Sequence, residues 1–171
     1  RTLDFVLPQV QLKYALTPNV NLRAALTYTY ARPNYVDVIP AREEDRNEVS
    51  IGNPDLEFPR STNIDLMIER YYQNSIFSGG LFYKNIQDFV FSYKRFGREG
   101  APGSGNFPVF EFTKPLNGRD AQVFGAEVQA QFKFDFFNGF LSNFGLFTNY
   151  TYTYSEAFLP RRVPANYAEA I

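Results

Sequence analysis

The chain has 171 residues and a formal net charge of −1, because 17 basic and 18 acidic residues almost cancel. This balance provides no basic surface for nucleic acid, and the absence of Cys excludes disulfides and thiolate metal sites. Aromatic residues make up 18% of the chain, yet the mean hydropathy is −0.32. Many aromatic residues in a chain that is polar on average are typical of β-strands whose apolar and polar side chains alternate.

Six segments show this alternation, and each predicts a strand with one apolar face. The clearest segment is 121–134, in which Phe124 and Val128 point away from Glu127. The fourth strand needs a β-bulge within residues 85–88 to keep its pattern. In chain order, the predicted strands cover residues 9–16, 20–30, 61–72, 76–93, 121–134 and 142–155.

Short turns and long loops alternate between these strands. The long loops, 31–60 and 94–120, follow the second and the fourth strand, and short turns follow the first, third and fifth strands. Outer-membrane barrels have this asymmetry, and a tilted strand of about 9 to 11 residues crosses a bilayer. Aromatic residues cluster at the strand ends, as they do at membrane interfaces. The sequence therefore predicts an all-β fold: an antiparallel transmembrane β-barrel segment of about six strands, with short periplasmic turns and long extracellular loops.

One alternative follows from the same pattern. A soluble β-protein would also alternate, with its apolar face packed into a core, but it has no reason to place every long connection at one end. The segment Phe107 to Phe112 inside the second loop could form a small hairpin arm. Six strands do not close a large barrel, and open edges in lipid are costly, so we expect the chain to be part of a longer protein.

Four segments carry a family resemblance. They are ARPNYVDVIP at 31–40, GNPDLEFPRSTN at 52–63, FYKNIQD at 82–88 and NGRDAQVFGAE at 117–127. Together, and in this order, they resemble the barrel of TonB-dependent receptors. The chain departs from the family pattern at 57–59, where Glu-Phe-Pro replaces Lys-Pro-Glu. The residues that match the family motifs are Gly52, Asn53, Pro54, Leu56, Ser61, Asn63, Phe82, Tyr83, Lys84, Ile86, Asp88, Asn117, Gly125 and Glu127.

The resemblance implies a bacterial outer-membrane receptor that imports a scarce nutrient of the siderophore, haem, cobalamin or glycan class. Its partners would be outer-membrane lipid, a small nutrient ligand and TonB, which would act through a plug domain that is not in this chain. In glycan-importing relatives a surface lipoprotein would be a further partner. No nucleic acid is expected. No cofactor or metal site is expected, and the absence of His disfavours a haem ligand here. Ligand contacts are expected from eight residues of the two loops: Tyr35, Asp37, Arg42, Arg46, Arg95, Arg98, Phe107 and Phe110.

Other functional classes remain open at this point. A passive porin-like channel would share the wall but not the motifs, and a surface-binding barrel would share the long loops. An enzyme is not expected, because the chain has no His or Cys and no Ser/Asp pair with the spacing of a nucleophile and its base. The Gly-Asn-Pro-Asp element at 52–55 is expected to be a structural turn rather than a ligand contact.

Overall fold

The computed structural model describes residues 6–45, 48–98, 109–135 and 137–159. In this part of the chain, ten strands are accompanied by one short α-helix and one 3-10 helix. The strands are β1 Gln9–Thr17, β2 Val20–Tyr30, β3 Arg42–Asp45, β4 Glu48–Ile51, β5 Arg60–Tyr72, β6 Ser75–Gln87, β7 Val90–Arg98, β8 Val109–Asn117, β9 Asp120–Lys133 and β10 Gly145–Ala157. The helix α1 is Tyr35–Val38, and the 3-10 helix is Gly139–Asn143. Neither of these helices has the length and apolar character of a membrane span.

The chain forms two compact units. The first unit contains a six-stranded sheet with the order β1-β2-β5-β6-β9-β10, which follows the chain. β1 and β2 are antiparallel, and their register places Val10 opposite Leu26 and Tyr14 opposite Leu22. Apolar residues therefore meet apolar residues across the strands, which keeps one face apolar. The all-β antiparallel prediction is confirmed, and the six strands do not close into a barrel.

Within the part of the chain that the structure describes, the apolar face of the six-stranded sheet is not covered by protein. The exposed fractions are 38% for Leu22, 53% for Leu66, 58% for Val128 and 46% for Leu146. A soluble sandwich would bury these side chains between two layers. Leaving them in water would forfeit most of the burial free energy of about 1.5–3 kcal/mol for each large apolar side chain. The face is therefore suited to contact with lipid.

The opposite face of this sheet carries polar side chains that bind one another. The Arg23 Nε lies 2.9 Å from the Glu69 Oε1, and the Tyr71 hydroxyl donates a 2.9 Å hydrogen bond to the Glu69 Oε2. The Asn63 Nδ2 donates to the Thr27 Oγ1 at 3.1 Å. Charged groups on this face require water or polar partners, and these pairs provide the partners.

The second unit contains a four-stranded sheet with the order β3-β4-β8-β7. β4 and β8 are parallel, whereas the β3–β4 and β7–β8 pairs are antiparallel. Its core consists of Val49, Leu56, Phe112 and Leu116, which are at most 5% exposed. This core lies on one side of the sheet, because Val49 and Phe112 are paired across β4 and β8.

The segments predicted to be the loops 31–60 and 94–120 thus supply strands β3, β4 and β8 and part of β7. The prediction that the fourth strand runs to residue 93 differs from the structure, in which that strand ends at Gln87. Asp88 then adopts a left-handed backbone conformation with φ 56°, and Val90–Arg98 pairs with β8 in the other sheet. A hairpin is present near the expected arm, but its strand starts at Val109 and continues to Asn117.

Candidate functional site

Asn53 and Asn117 hold distant segments of the second unit together through hydrogen bonds to the backbone. The backbone N–H of Asn53 donates to the Asp37 carbonyl at 2.6 Å, which attaches α1 to this turn. The Asn53 Nδ2 donates to the Pro115 carbonyl on β8 at 3.0 Å, and its Oδ1 accepts from the Asp55 N–H at 3.1 Å. Because Asn53 is only 4% exposed, these bonds support the interpretation of Gly-Asn-Pro-Asp as a structural turn.

Gly52 is required by close packing beside this asparagine. A Cβ at Gly52 would lie 1.9 Å from the Ile39 carbonyl oxygen, a distance that no side chain can adopt without moving the backbone. The Gly52 N–H also donates to the Ala41 carbonyl at 3.1 Å. The turn therefore holds the chain on both sides of Pro40.

Asn117 has a similar role at the end of β8. Its side chain accepts from the Glu57 N–H at 2.9 Å and donates to the carbonyls of Glu57 at 3.0 Å and Asp88 at 2.7 Å. The Asp88 carboxylate in turn lies 2.9 Å from the Arg60 guanidinium. One amide thus satisfies three backbone groups of two separate segments, which fixes those segments without regular pairing.

Two adjoining depressions lie on the second unit. The smaller, of about 210 Å³, is lined by residues that include Asp37, Glu43, Ser50 and Thr113. The larger, of about 350 Å³, is lined by residues that include Arg32 and Phe91. Asp37, Ser92 and Pro115 line both depressions. We call the two depressions together the polar groove.

The strand register explains which side chains reach the polar groove. Glu43 pairs with Ser50, Ser50 with Thr113, and Thr113 with Lys94, so these four residues form one row across the sheet. Residues that pair directly across strands share a face, and the neighbouring row with Val49 and Phe112 lies on the opposite, buried face. The groove side of the sheet is therefore its polar side.

The Lys94 ammonium at the end of this row is paired. It lies 2.5 Å from the Glu111 Oε1, and Glu111 is two residues from Thr113 on the same face of β8. The pKa of Lys94 is raised above its ordinary value, first because it donates this hydrogen bond and also because the carboxylate charge is close. The ammonium is therefore charged at neutral pH, and its attraction to the carboxylate is lost as the pH rises through this raised pKa.

Of the four predicted ligand residues whose side chains the structure describes, only Asp37 lines the groove. Tyr35 lies on α1 and is 78% exposed. Arg42 is on β3 and pairs with Glu44 at 2.6 Å. The Arg95 guanidinium lies 5.8 Å from the centre of the Phe112 ring, on the buried side of the sheet. Arg46 and Phe107 lie outside the described residues, and so do the side chains of Arg98 and Phe110.

Glu43, Ser50, Ser92 and Thr113 are groove residues that the sequence interpretation did not select. Glu43 belongs to the charged run at 42–46, and period-two alternation would have separated it from Arg42 and Glu44. That signal could be used only if residues 42–45 were recognised as a strand, although they lie in a segment that the sequence predicts to be a loop. For Ser92 and Thr113 the sequence offers no signal, because their position depends on the β7–β8 register.

Two further features bear on possible sites. A depression of about 800 Å³ on the first unit has an almost entirely apolar lining that includes Leu12, Leu66, Gly79 and Val128. Such a lining suits hydrocarbon rather than a polar nutrient. In the described part of the chain, no cluster of three or more acidic, His or Cys side chains is placed to hold a metal ion.

Comparison with known proteins identifies the family. The family model described as TonB dependent receptor-like, beta-barrel, matches residues 1–169. The chain belongs to this family. It is therefore part of a bacterial outer-membrane β-barrel, which explains the bare apolar face of the six-stranded sheet. Among curated proteins, none matches the chain.

Solved structures share the fold at low sequence identity. The siderophore receptor PirA from Pseudomonas aeruginosa superposes with a TM-score of 0.67 at 18% identity, covering 88% of this chain and 28% of the receptor. The ferric enterobactin receptor PfeA from P. aeruginosa, in complex with enterobactin, gives 0.60 at 21% identity, covering 74% and 20%. The copper transporter OprC gives 0.56 at 17% identity, covering 86% and 20%. The chain thus spans between a fifth and a little over a quarter of these structures.

Proposed function

We propose that the protein containing this chain is a receptor that imports a scarce nutrient across the outer membrane, with energy delivered by TonB. The observation that carries the proposal is the family match over residues 1–169. The bare apolar face of the six-stranded sheet supports a membrane-embedded wall, as such a receptor requires. TonB would act through a plug domain, and a small nutrient ligand would bind at the extracellular loops.

The nutrient class is open within siderophore, haem, cobalamin and glycan complexes. The structures that superpose include receptors for siderophores and a copper transporter, which favours a metal-bearing nutrient. A haem axial ligand from this chain is disfavoured, because the chain has no His. The ligand contacts would come from the second unit, which is built largely from the two segments predicted to be extracellular loops, and Asp37 is the predicted contact that lines its groove.

The proposal is tested by uptake in cells. We expect a strain lacking the gene to lose growth on one limiting iron or copper source, and a strain lacking TonB to lose the same growth even when the gene is present. Complementation with the complete gene should restore growth only in the presence of TonB. Uptake that persists without TonB would instead support a passive porin-like channel. Binding of a partner without any uptake would support a surface-binding barrel.

A further inference from the structure

The polar groove of the second unit carries opposite charges at its two ends. Glu43 lines only the smaller depression and Arg32 only the larger, while Asp37 lines both. Ser50 lies opposite Glu43 in the cross-strand row, and Thr113 lies opposite Ser50 on the next strand. The smaller depression therefore offers two carboxylates together with hydroxyl oxygens that can accept hydrogen bonds.

The cations nearest in the sheet are engaged elsewhere. Lys94 shares the row of Glu43, but its ammonium is paired with Glu111. Arg42 pairs with Glu44, and both lie on the face of β3 opposite to Glu43. The Asn34 amide donates to the Asp37 Oδ2 at 3.2 Å, which orients this carboxylate without neutralising it. Among the described residues, the lining of the smaller depression contains no Lys or Arg, so the Glu43 end of the groove retains negative charge.

We propose that the Glu43 end of the polar groove binds a protonated primary amine on one arm of the imported ligand. This inference rests on the proposed import function and specifies the chemistry of its ligand. An ammonium group has three donors, which match the Glu43 and Asp37 carboxylates and a hydroxyl of Ser50 or Thr113. Carboxylates in a partly enclosed depression attract a cation more strongly than the same groups in open water.

Size and charge limit what the groove accepts. A volume of about 210 Å³ holds an aminoalkyl arm, since it equals roughly seven times the volume of a water molecule in the liquid. Arg32 at the other end repels a second cation, so the arm carries a single ammonium group rather than a polyamine.

The test uses the full-length receptor in detergent and three matched probes. The probes are a ferric trihydroxamate complex with a terminal primary amine, its N-acetyl derivative and its N-succinyl derivative, which differ in charge but share one metal centre. Binding is measured by isothermal titration calorimetry at low and high salt. We expect the amine form to bind about tenfold more tightly than the acetyl form at low salt, with the succinyl form weakest.

Glu43→Gln should reduce the preference for the amine over the acetyl form to less than about threefold. Asp55→Asn is the control, since it removes one carboxylate charge from an exposed side chain of the same unit that does not line the groove, and it should keep the preference. Added salt should weaken the amine form selectively. Heat-modifiable gel mobility checks that both variants are folded.

Equal binding of the amine and acetyl forms to the unmodified receptor would overturn the inference. Absence of binding by all three probes would do the same, as would a preference that survives Glu43→Gln. None of these outcomes affects the import function, which is judged separately by TonB-dependent growth. If growth fails to depend on the gene and on TonB while the charge preference is present, the import function is wrong and the amine site is retained.

Discussion

Two asparagines, the buried Asn53 and the half-buried Asn117, determine the backbone course of the second unit. Asn53 and Asn117 use their amides as substitutes for backbone partners and connect segments that are about sixty residues apart in sequence. A buried amide that satisfies backbone groups stabilises a unit with a small core, because the alternative is an unpaired buried polar group. Only four apolar side chains form the core of the described part of this unit. Single polar residues therefore matter more here than in a large domain.

Asn53→Ala should open the second unit. The substitution leaves the Pro115 carbonyl and the Asp55 N–H without their partners, which costs about 1–3 kcal/mol. We expect the β8 peptides of the full-length receptor to exchange their amide hydrogens about 5- to 100-fold faster, measured by mass spectrometry. Asp55→Ala is the control, since its side chain is exposed, and it should leave exchange almost unchanged. Equal exchange in both variants would contradict the structural role of Asn53.

At the level of strands, glycines allow close approach between neighbours in the six-stranded sheet. A Cβ at Gly125 would lie 2.2 Å from the Tyr152 carbonyl oxygen and 2.5 Å from the Phe82 ring. The ring of Phe82 therefore occupies the space above Gly125, where it covers a backbone that has no side chain of its own. At Gly79, by contrast, the nearest atom to an added Cβ is 3.9 Å away.

The two glycines provide a matched pair of substitutions. Gly125→Ala should destabilise the barrel by about 1–3 kcal/mol through overpacking, whereas Gly79→Ala should be neutral or slightly stabilising. Urea unfolding of the receptor refolded into liposomes measures both changes. Adding Phe82→Ala to Gly125→Ala should recover part of the loss, because it removes the ring but not the Tyr152 carbonyl. Equal stability of the two single variants would contradict the packing described here.

At the scale of the whole molecule, the decisive property is that the two faces of the six-stranded sheet meet different surroundings, lipid on one side and water on the other. Val128 is 58% exposed on the apolar face, and Gln129 is the next residue on the polar face of β9. Alternate residues of one strand thus meet hydrocarbon and an aqueous lumen. Every strand of the first unit repeats this arrangement, so the sheet is stable only in a bilayer.

Val128→Arg and Gln129→Arg test this arrangement with the same new side chain at adjacent positions. The first should cost about 2–4 kcal/mol, because a charge is placed in the hydrocarbon region, and the second should cost little. The folded fraction in liposomes, read from heat-modifiable mobility across a urea series, measures both. A larger loss for Gln129→Arg would reverse the assignment of the two faces.

The sequence alone determined the six membrane strands and their faces. Period-two alternation is a local property, and a barrel wall has lipid on one side along its entire length, so each strand carries its own pattern of apolar and polar residues. Leu22, Leu66, Val128 and Leu146 could therefore be assigned to the lipid face from their neighbours alone. The family could also be predicted from the sequence, because its motifs occur in a fixed order along the chain.

The tertiary structure decided the second unit and the groove. The alternation breaks within residues 85–88, but the sequence does not distinguish a β-bulge inside one strand from the left-handed Asp88 at which the chain leaves one sheet for the other. Likewise, Glu43 and Thr113 become neighbours only through the parallel pairing of β4 with β8. Contacts between segments so distant in sequence depend on register, and register is set by buried partners such as Val49 and Phe112 rather than by the residues that line the groove.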